Sequence, residues 1–268
     1  VLFRQNKLTG NDRMLSIGEI REEFKNAGAD ELSGIIKKYS DDARPGVQKL
    51  KSQYESKLNR SLKERERLLE LWRYENEFYS KGALFVAGTD EVGRGPLAGP
   101  VMAAAVILPR GIMIPGINDS KKLSGQKREG LSEKILEKAV AFGFGEVSPE
   151  EIDEINILNA TLKAIRNAVL SLSPAADALL ADALSIPGLA IPQKPIIKGD
   201  SASVSIAAAS IIAKVKRDRL MSDYSLIYPE YSFDKNKGYG TAEHIDAIRQ
   251  YGPCPIHRKS FIKNFVSL

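Results

Sequence analysis

Between apolar runs at 84–87 and 101–108 the chain carries Gly88-Thr89-Asp90-Glu91-Val92-Gly93-Arg94-Gly95-Pro96-Leu97-Ala98-Gly99-Pro100. The flanking runs are short and rich in strand-forming residues, and the glycines and proline between them mark a turn, so the segment reads as two strands joined by a short connection. Two adjacent carboxylates then stand before a glycine-arginine-glycine turn, an arrangement suited to a cation site facing a phosphate chain. Successive strand residues point to opposite faces. Asp90 and Glu91 therefore share one site only if the strand ends there or if they act on different atoms. An Asp-Glu step before a turn is more often solvated surface, so the pair alone decides little. Gly99 falls one residue too late for the G-x-G-x-x-G pattern, and a strand rather than a helix follows, which excludes a dinucleotide fingerprint.

A chain of 268 residues, 43% hydrophobic, can bury the core of one large domain or of a domain with an appendage. The single cysteine, Cys254 between two prolines, excludes an internal disulfide framework and a cysteine zinc site, and fits a reducing compartment. The apolar run at 206–213, broken by Ser210, is far short of a membrane span, and no signal-peptide pattern opens the chain. A soluble, cytoplasmic protein without a membrane partner is expected. The net charge of +5 favours an anionic partner such as nucleic acid.

Three segments are expected. Residues 1–13 precede Met14, a plausible natural start, and read as upstream or added sequence. Residues 14–81 lack strand alternation and read as a helical appendage: a helix capped by Ser16 with Glu19 at the capping-box position, another from about Ala29, and a long one after Pro45. Leu50, Tyr54, Leu58 and Leu62 form an apolar stripe, broadened later by Leu68, Leu69, Leu71 and Trp72. The same stretch is locally basic, from Arg44 to Arg67, and reads either as a solvated helix face or as a phosphate-contacting surface. Residues 82–268 alternate strands and helices in an α/β order, predicting a mixed sheet with helices on both faces.

Two further acids break apolar strand patterns. Asp182 ends the run at 179–183, and Asp200 follows Ile196-Ile197-Lys198-Gly199. Either alone reads as a cap or turn former. Together with Asp90 and Glu91, four acids at strand ends of one sheet would repel one another and need divalent cations. Carboxylate oxygens suit Mg²⁺ or Mn²⁺. Asp218, in Lys216-Arg217-Asp218-Arg219, reads as a structural ion pair, and Asp119, Asp153 and Glu154 are left outside the set.

The run at 88–100, the Asn118-Asp119-Ser120-Lys121-Lys122-Leu123 segment, the two isolated acids, Asp234 to Thr241 and Pro255 to Phe261 together closely resemble bacterial ribonuclease HII, a type 2 ribonuclease H, over roughly residues 83–263. The resemblance implies a ribonuclease H-like fold carrying an N-terminal helical appendage. It also implies a Mg²⁺- or Mn²⁺-dependent endoribonuclease that cuts the RNA strand of RNA/DNA hybrids and cuts 5′ to single ribonucleotides in duplex DNA. Asp90, Glu91, Asp182 and Asp200 would be its four catalytic, metal-binding acids. These acids would hold a pair of ions that can activate water and stabilise the leaving oxygen, and the products the resemblance implies are a 5′-phosphate and a 3′-hydroxyl.

By the same resemblance Gly93, Arg94 and Gly95 present backbone groups to the ribose 2′-hydroxyl, and Tyr239 bonds that hydroxyl and stacks on the next sugar. Asn118, Lys121, Lys198 and Ser203 are candidates for backbone or phosphate contacts. Ribonuclease HIII is disfavoured because it typically carries Gly-Thr-Gly where Arg94 stands. A nucleic-acid-binding protein that keeps the fold without the chemistry is the other alternative, and the presence of all four acids argues against it.

Overall fold

A computed structural model describes residues 14–264, and the expectation for residues 1–13 lies outside them. The chain divides into two compact units, Val1–Glu66 and Arg67–Leu268.

In the first unit, α1 (Ile17–Asn26) begins at the expected capping box. The Glu19 amide donates to the Ser16 hydroxyl at 3.2 Å, and the Ser16 amide donates to the Glu19 carboxylate at 2.7 Å. α2 (Ala29–Lys38) follows, and then α3 (Pro45–Leu71). Ile20, Phe24, Leu32, Tyr39, Val47 and Leu50 form a small core, with Tyr54 and Leu58 packed against it and Tyr54 stacked on Phe24 at 4.8 Å. The apolar stripe stops at Leu58, because Leu62 is exposed. The residues that continue the pattern, Leu68, Leu71 and Trp72, bury instead in the core of the second unit. Arg44 of the basic stretch is committed locally, to Asp42 and to the Leu15 carbonyl.

The second unit is an α/β layer structure. α4 (Arg73–Tyr79) leads into β1 (Val86–Val92) and β2 (Val101–Ile107), then α5 (Gly125–Lys138), β3 (Ala141–Val147), α6 (Pro149–Leu170), β4 (Ala178–Asp182), β5 (Gln193–Ile196) and α7 (Val204–Ile227). Short helices α8 (Phe233–Asn236), α9 (Ala242–Tyr251) and α10 (Lys259–Ile262) close it. The sheet order is β3-β2-β1-β4-β5. β1, β2 and β3 pair antiparallel, and β4 runs parallel to both β1 and β5. This is the mixed sheet the sequence predicts, in a ribonuclease H-like layout.

Helices cover both faces. Ala87, Ala103 and Ala105 pack with Ala160, Ala164 and Ala168 of α6, while Ala104 and Val106 pack with the alanines of α7. Small residues let α7 approach closely. A Cβ on Gly88 of β1 would lie 2.2 Å from the Ser205 carbonyl carbon and 2.3 Å from the Ile206 nitrogen. That contact fixes the start of α7 behind the strand that bears Asp90 and Glu91.

Candidate active site

β1 extends through both acids to Val92, so neither Asp90 nor Glu91 lies beyond the strand. Alternation points Asp90 to the α7 face, with Gly88 and Val92, and turns Glu91 the other way. Both still line one cleft, because the sheet stops there and the Gly93-Arg94-Gly95 turn bends away. Asp90 is buried and accepts the Glu91 amide at 2.8 Å, while Glu91 bonds Arg94 at 3.2 Å.

β4 carries Asp182 as its last residue. The parallel register pairs Thr89 with Ala181, so Asp182 comes one residue later, as Asp90 does on β1. Its Oδ1 accepts the Gly199 amide at 2.7 Å, which ties β4 to the turn holding Asp200. Asp200 lies in a short 3-10 turn, Gly199–Ser201, after β5, and is itself buried. The sheet thus gathers the four predicted acids at one end.

Their electrostatics are unfavourable without a counter-charge. Burial, and then the charges of Glu91 and Asp182, push the Asp90 carboxyl up to about 7. Burial raises Glu91 too, against the lowering influence of Arg94. Asp200 is raised by burial and by the charges of Asp119 and Asp182, with Lys121 opposing. Among the described residues no three His, Cys, Asp or Glu side chains converge closely enough to hold an ion as they stand. The donor set nonetheless suits a hard divalent cation: oxygen ligands only, largely withdrawn from solvent and carrying like charges at one end of the sheet.

The cleft is completed by Ser120, Lys121, Ser210, Lys214 and Tyr239. Lys121 follows Asp119, whose carboxylate accepts the Lys121 amide at 2.9 Å, and Arg128 holds the segment through the Ser120 and Leu123 carbonyls. Asn118 is half-buried, accepts the Asp119 amide and is not among the residues lining the cleft. Lys198 is exposed at the head of the 199–201 turn, in left-handed backbone. Tyr239 is 45% exposed, and its ring faces Gly95, where a Cβ would stand 3.8 Å from Cε1.

Ser203 corrects the sequence reading. It is fully buried as the N-cap of α7, bonding the Ile206 amide and donating to Glu75 at 2.6 Å, so its hydroxyl faces the interior and not a phosphate. Asp218 bonds Lys214 at 2.7 Å, one helical turn away, and is the structural ion pair expected, although its partner is not a flanking residue.

Several residues escaped the sequence reading. Asp119, set aside there, stands beside Asp200. Two buried arginines hold the turn. Arg217 donates to the carbonyls of Ala98, Pro100 and Lys237 at 2.9 to 3.0 Å. Arg258 donates to those of Gly93, Arg94 and Gly99. A Cβ on Gly93, whose φ is +89°, would lie 2.3 Å from Arg217 Nε, so glycine is required there. The spacing of Ser210, Ala213, Arg217 and Met221 on the buried face of α7 was the available signal for Arg217.

Comparison with known proteins agrees with this geometry. The ribonuclease HII family profile matches residues 87–264, and that of the ribonuclease HII N-terminal domain matches residues 16–79. The chain is 51% identical to ribonuclease HII of Clostridioides difficile over 251 residues, covering 94% of this chain and 98% of that protein. It is 56% identical to the Caldanaerobacter subterraneus subsp. tengcongensis ribonuclease HII over 204 residues, 76% and 85% of the two chains. Among solved structures, ribonuclease H2 from Pyrococcus horikoshii superposes with a TM-score of 0.56 at 26% identity, over 69% of this chain and all of that one. No described helix is long and apolar enough to cross a membrane. The chain belongs to the ribonuclease HII family, metal-dependent ribonucleases that cleave the RNA strand of RNA/DNA hybrids.

Proposed function

We propose that this protein is an endoribonuclease that cuts RNA/DNA hybrids and also cuts 5′ to single ribonucleotides in duplex DNA, leaving a 5′-phosphate and a 3′-hydroxyl. One observation carries the junction reading: Tyr239 lines the same cleft as Asp90 and Glu91, and its ring faces Gly95 of the turn. A ribose held between the turn and the ring would present its 2′-hydroxyl to the turn's backbone and its 3′ neighbour to the ring.

Asp90, Glu91, Asp182 and Asp200 would hold two Mg²⁺ or Mn²⁺ ions, which when bound supply Lewis acidity at the scissile phosphate. The chain's own residues do the rest. Arg94 and Lys121 bring positive charge to the cleft, and Arg94 also restrains Glu91. Lys198, exposed near Asp200 in sequence, would meet the backbone, and Asn118 accepts the Asp119 amide in the segment that carries Lys121. Neither histidine approaches the acids as a base: both are buried in the loop layer, bonded to each other.

The test is cleavage of two duplexes, one with a single ribonucleotide and one a continuous hybrid, with Mg²⁺ or Mn²⁺ and with analysis of the product ends. Cutting of both, with 5′-phosphate ends, is expected. Cutting of the hybrid alone would sink the junction reading, and binding without cleavage would leave a nucleic-acid-binding protein.

A further inference from the structure

His244 and His257 take no part in the chemistry above, yet both are fully buried and bonded Nε2 to Nε2 at 3.0 Å. His257 belongs to a segment zipped to the stretch behind the turn. It forms a β-bridge with Ala98, the Gly99 amide donates to the Ile256 carbonyl at 2.8 Å, and the Arg258 amide donates to the Leu97 carbonyl at 2.9 Å. His244 stands in the first turn of α9, just after Tyr239 and the Thr241 cap.

The partners assign the protons. His257 Nδ1 lies 3.0 Å from the Cys254 amide, 3.1 Å from its thiol and 3.3 Å from its carbonyl; the amide can only donate and is the nearest of the three, so we assign that nitrogen as an acceptor and the ring's proton to Nε2. It is given to His244 Nε2, which places the His244 proton on Nδ1, where it is donated to the Tyr239 carbonyl at 2.8 Å. With both rings neutral the chain runs one way, from Cys254 to Tyr239. A proton added to either ring sets two N–H groups against each other.

The surroundings keep the rings neutral. Tyr231 and Phe233 pack edge-on or tilted against both. Burial lowers both histidines, His257 to about 4, while the neighbouring Cys254 thiol is pushed up to about 11. The Tyr231 hydroxyl is turned away to the Gly252 carbonyl. The remaining charges nearby are Glu230, next to Tyr231, and the guanidiniums of Arg217 and Arg258, and no described carboxylate bonds either ring.

We propose that His244 and His257 are positioning residues: an uncharged, directional strut that fixes the main chain of Tyr239 relative to the 93–99 turn and so sets the reach of its ring toward the ribose. This rests on the reading of Tyr239 given above. The strut touches no substrate and lies apart from the acids. Its failure would therefore appear in discrimination between substrates, not in the ability to cleave.

The experiment compares the parent with His244→Phe, His257→Phe and His244→Asn. For each, cleavage rates on the single-ribonucleotide duplex and on the continuous hybrid are measured, with thermal unfolding alongside. Each Phe variant should lower the ratio of the two rates by about threefold to tenfold, the worth of one net hydrogen bond, through kcat and with little change in KM. His244→Asn, whose amide can donate from nearly the position of Nδ1, should recover most of the parent ratio even where it unfolds at lower temperature. A ratio at the parent value in all three, with only unfolding temperatures moved, would overturn the strut. A parent that fails to cut the single-ribonucleotide duplex would instead overturn the reading of Tyr239, and the strut's role with it. If the Phe variants do not fold, the parent still decides: nitrogen NMR of its imidazoles should show His257 protonated on Nε2 and His244 on Nδ1, and any other pair of tautomers refutes the directional chain.

Discussion

The acid end of the sheet and the loop layer that faces it are built on opposite principles. At the acid end, like charges are forced together by strand register, with few compensating partners: the Glu91 amide on Asp90, the Gly199 amide on Asp182, Arg94 on Glu91 and the charge of Lys121 near Asp200. In the loop layer, charge is buried but shared. Among the described residues Arg217 and Arg258 bond no carboxylate and spend their donors on main-chain carbonyls of the 93–100 turn and of Lys237. Burial pulls Arg217 down to about 10 and Arg258 to about 9, yet each satisfied donor fixes one stretch of irregular backbone. The first region gives up stability to gather ligands, and the second spends desolvation to gain geometry. Mutations should therefore separate into those that cost activity and those that cost the fold.

The sharpest break comes from Asp90→Asn. It should lower cleavage beyond the roughly hundredfold that loss of a ligand's own hydrogen-bond partner costs at metal sites. Without metal its unfolding temperature should match or exceed the parent's, since one repulsive charge is gone. A marked loss of stability would place Asp90 with the structural acids.

The opposite sign is expected in the loop layer. Arg258→Met orphans buried carbonyls at about 1 to 3 kcal/mol each, so a loss of about 3 kcal/mol or more should appear in denaturant unfolding. Gly93→Ala should cost a comparable amount, through positive φ and the clash with Arg217. Unchanged stability in both would show that the turn is held by something other than these contacts.

Acid should reach the loop layer through its histidines. Their folded-state affinity for protons is lowered, so below the ordinary histidine value of about 6.5 the unfolded chain binds more protons than the folded one. The stability they contribute is fully present above about pH 6.5 and is lost as pH falls toward about 4, by about 3 kcal/mol at most for His257. Denaturant midpoints across that window should fall for the parent and flatten in His257→Phe. The same slope in both would remove the histidines from the account.

Smaller effects refine the boundary. Tyr239→Phe keeps the ring and loses one hydrogen bond, so cleavage beside a single ribonucleotide should fall about threefold to tenfold, while Tyr239→Ala should fall further. Asp218→Asn breaks only the partly exposed pair with Lys214. It should cost less than about 1 kcal/mol and keep its turnover, and an inactive but folded variant would give Asp218 a role in the chemistry.

The sequence by itself determined the order of strands and helices and marked four acids as candidates, because both are written in local pattern: apolar runs of strand length, a glycine turn between two of them, and charges where such runs end. It also determined that α7 must pack closely on the sheet, since Ala207, Ala208 and Ala209 leave no bulk between them. Only the tertiary structure decided that Glu91 shares a cleft with Asp90 although alternation parts them, and that Asp119 stands beside Asp200. It also showed that Ser203 caps a helix over Glu75 and that the α3 pattern is divided between two cores. Arg217 and Arg258 lie more than a hundred residues from the carbonyls they hold near the turn. Main-chain carbonyls look alike in every sequence, so a bond from a distant arginine to one of them leaves no mark in the turn it fixes until the fold brings the two together.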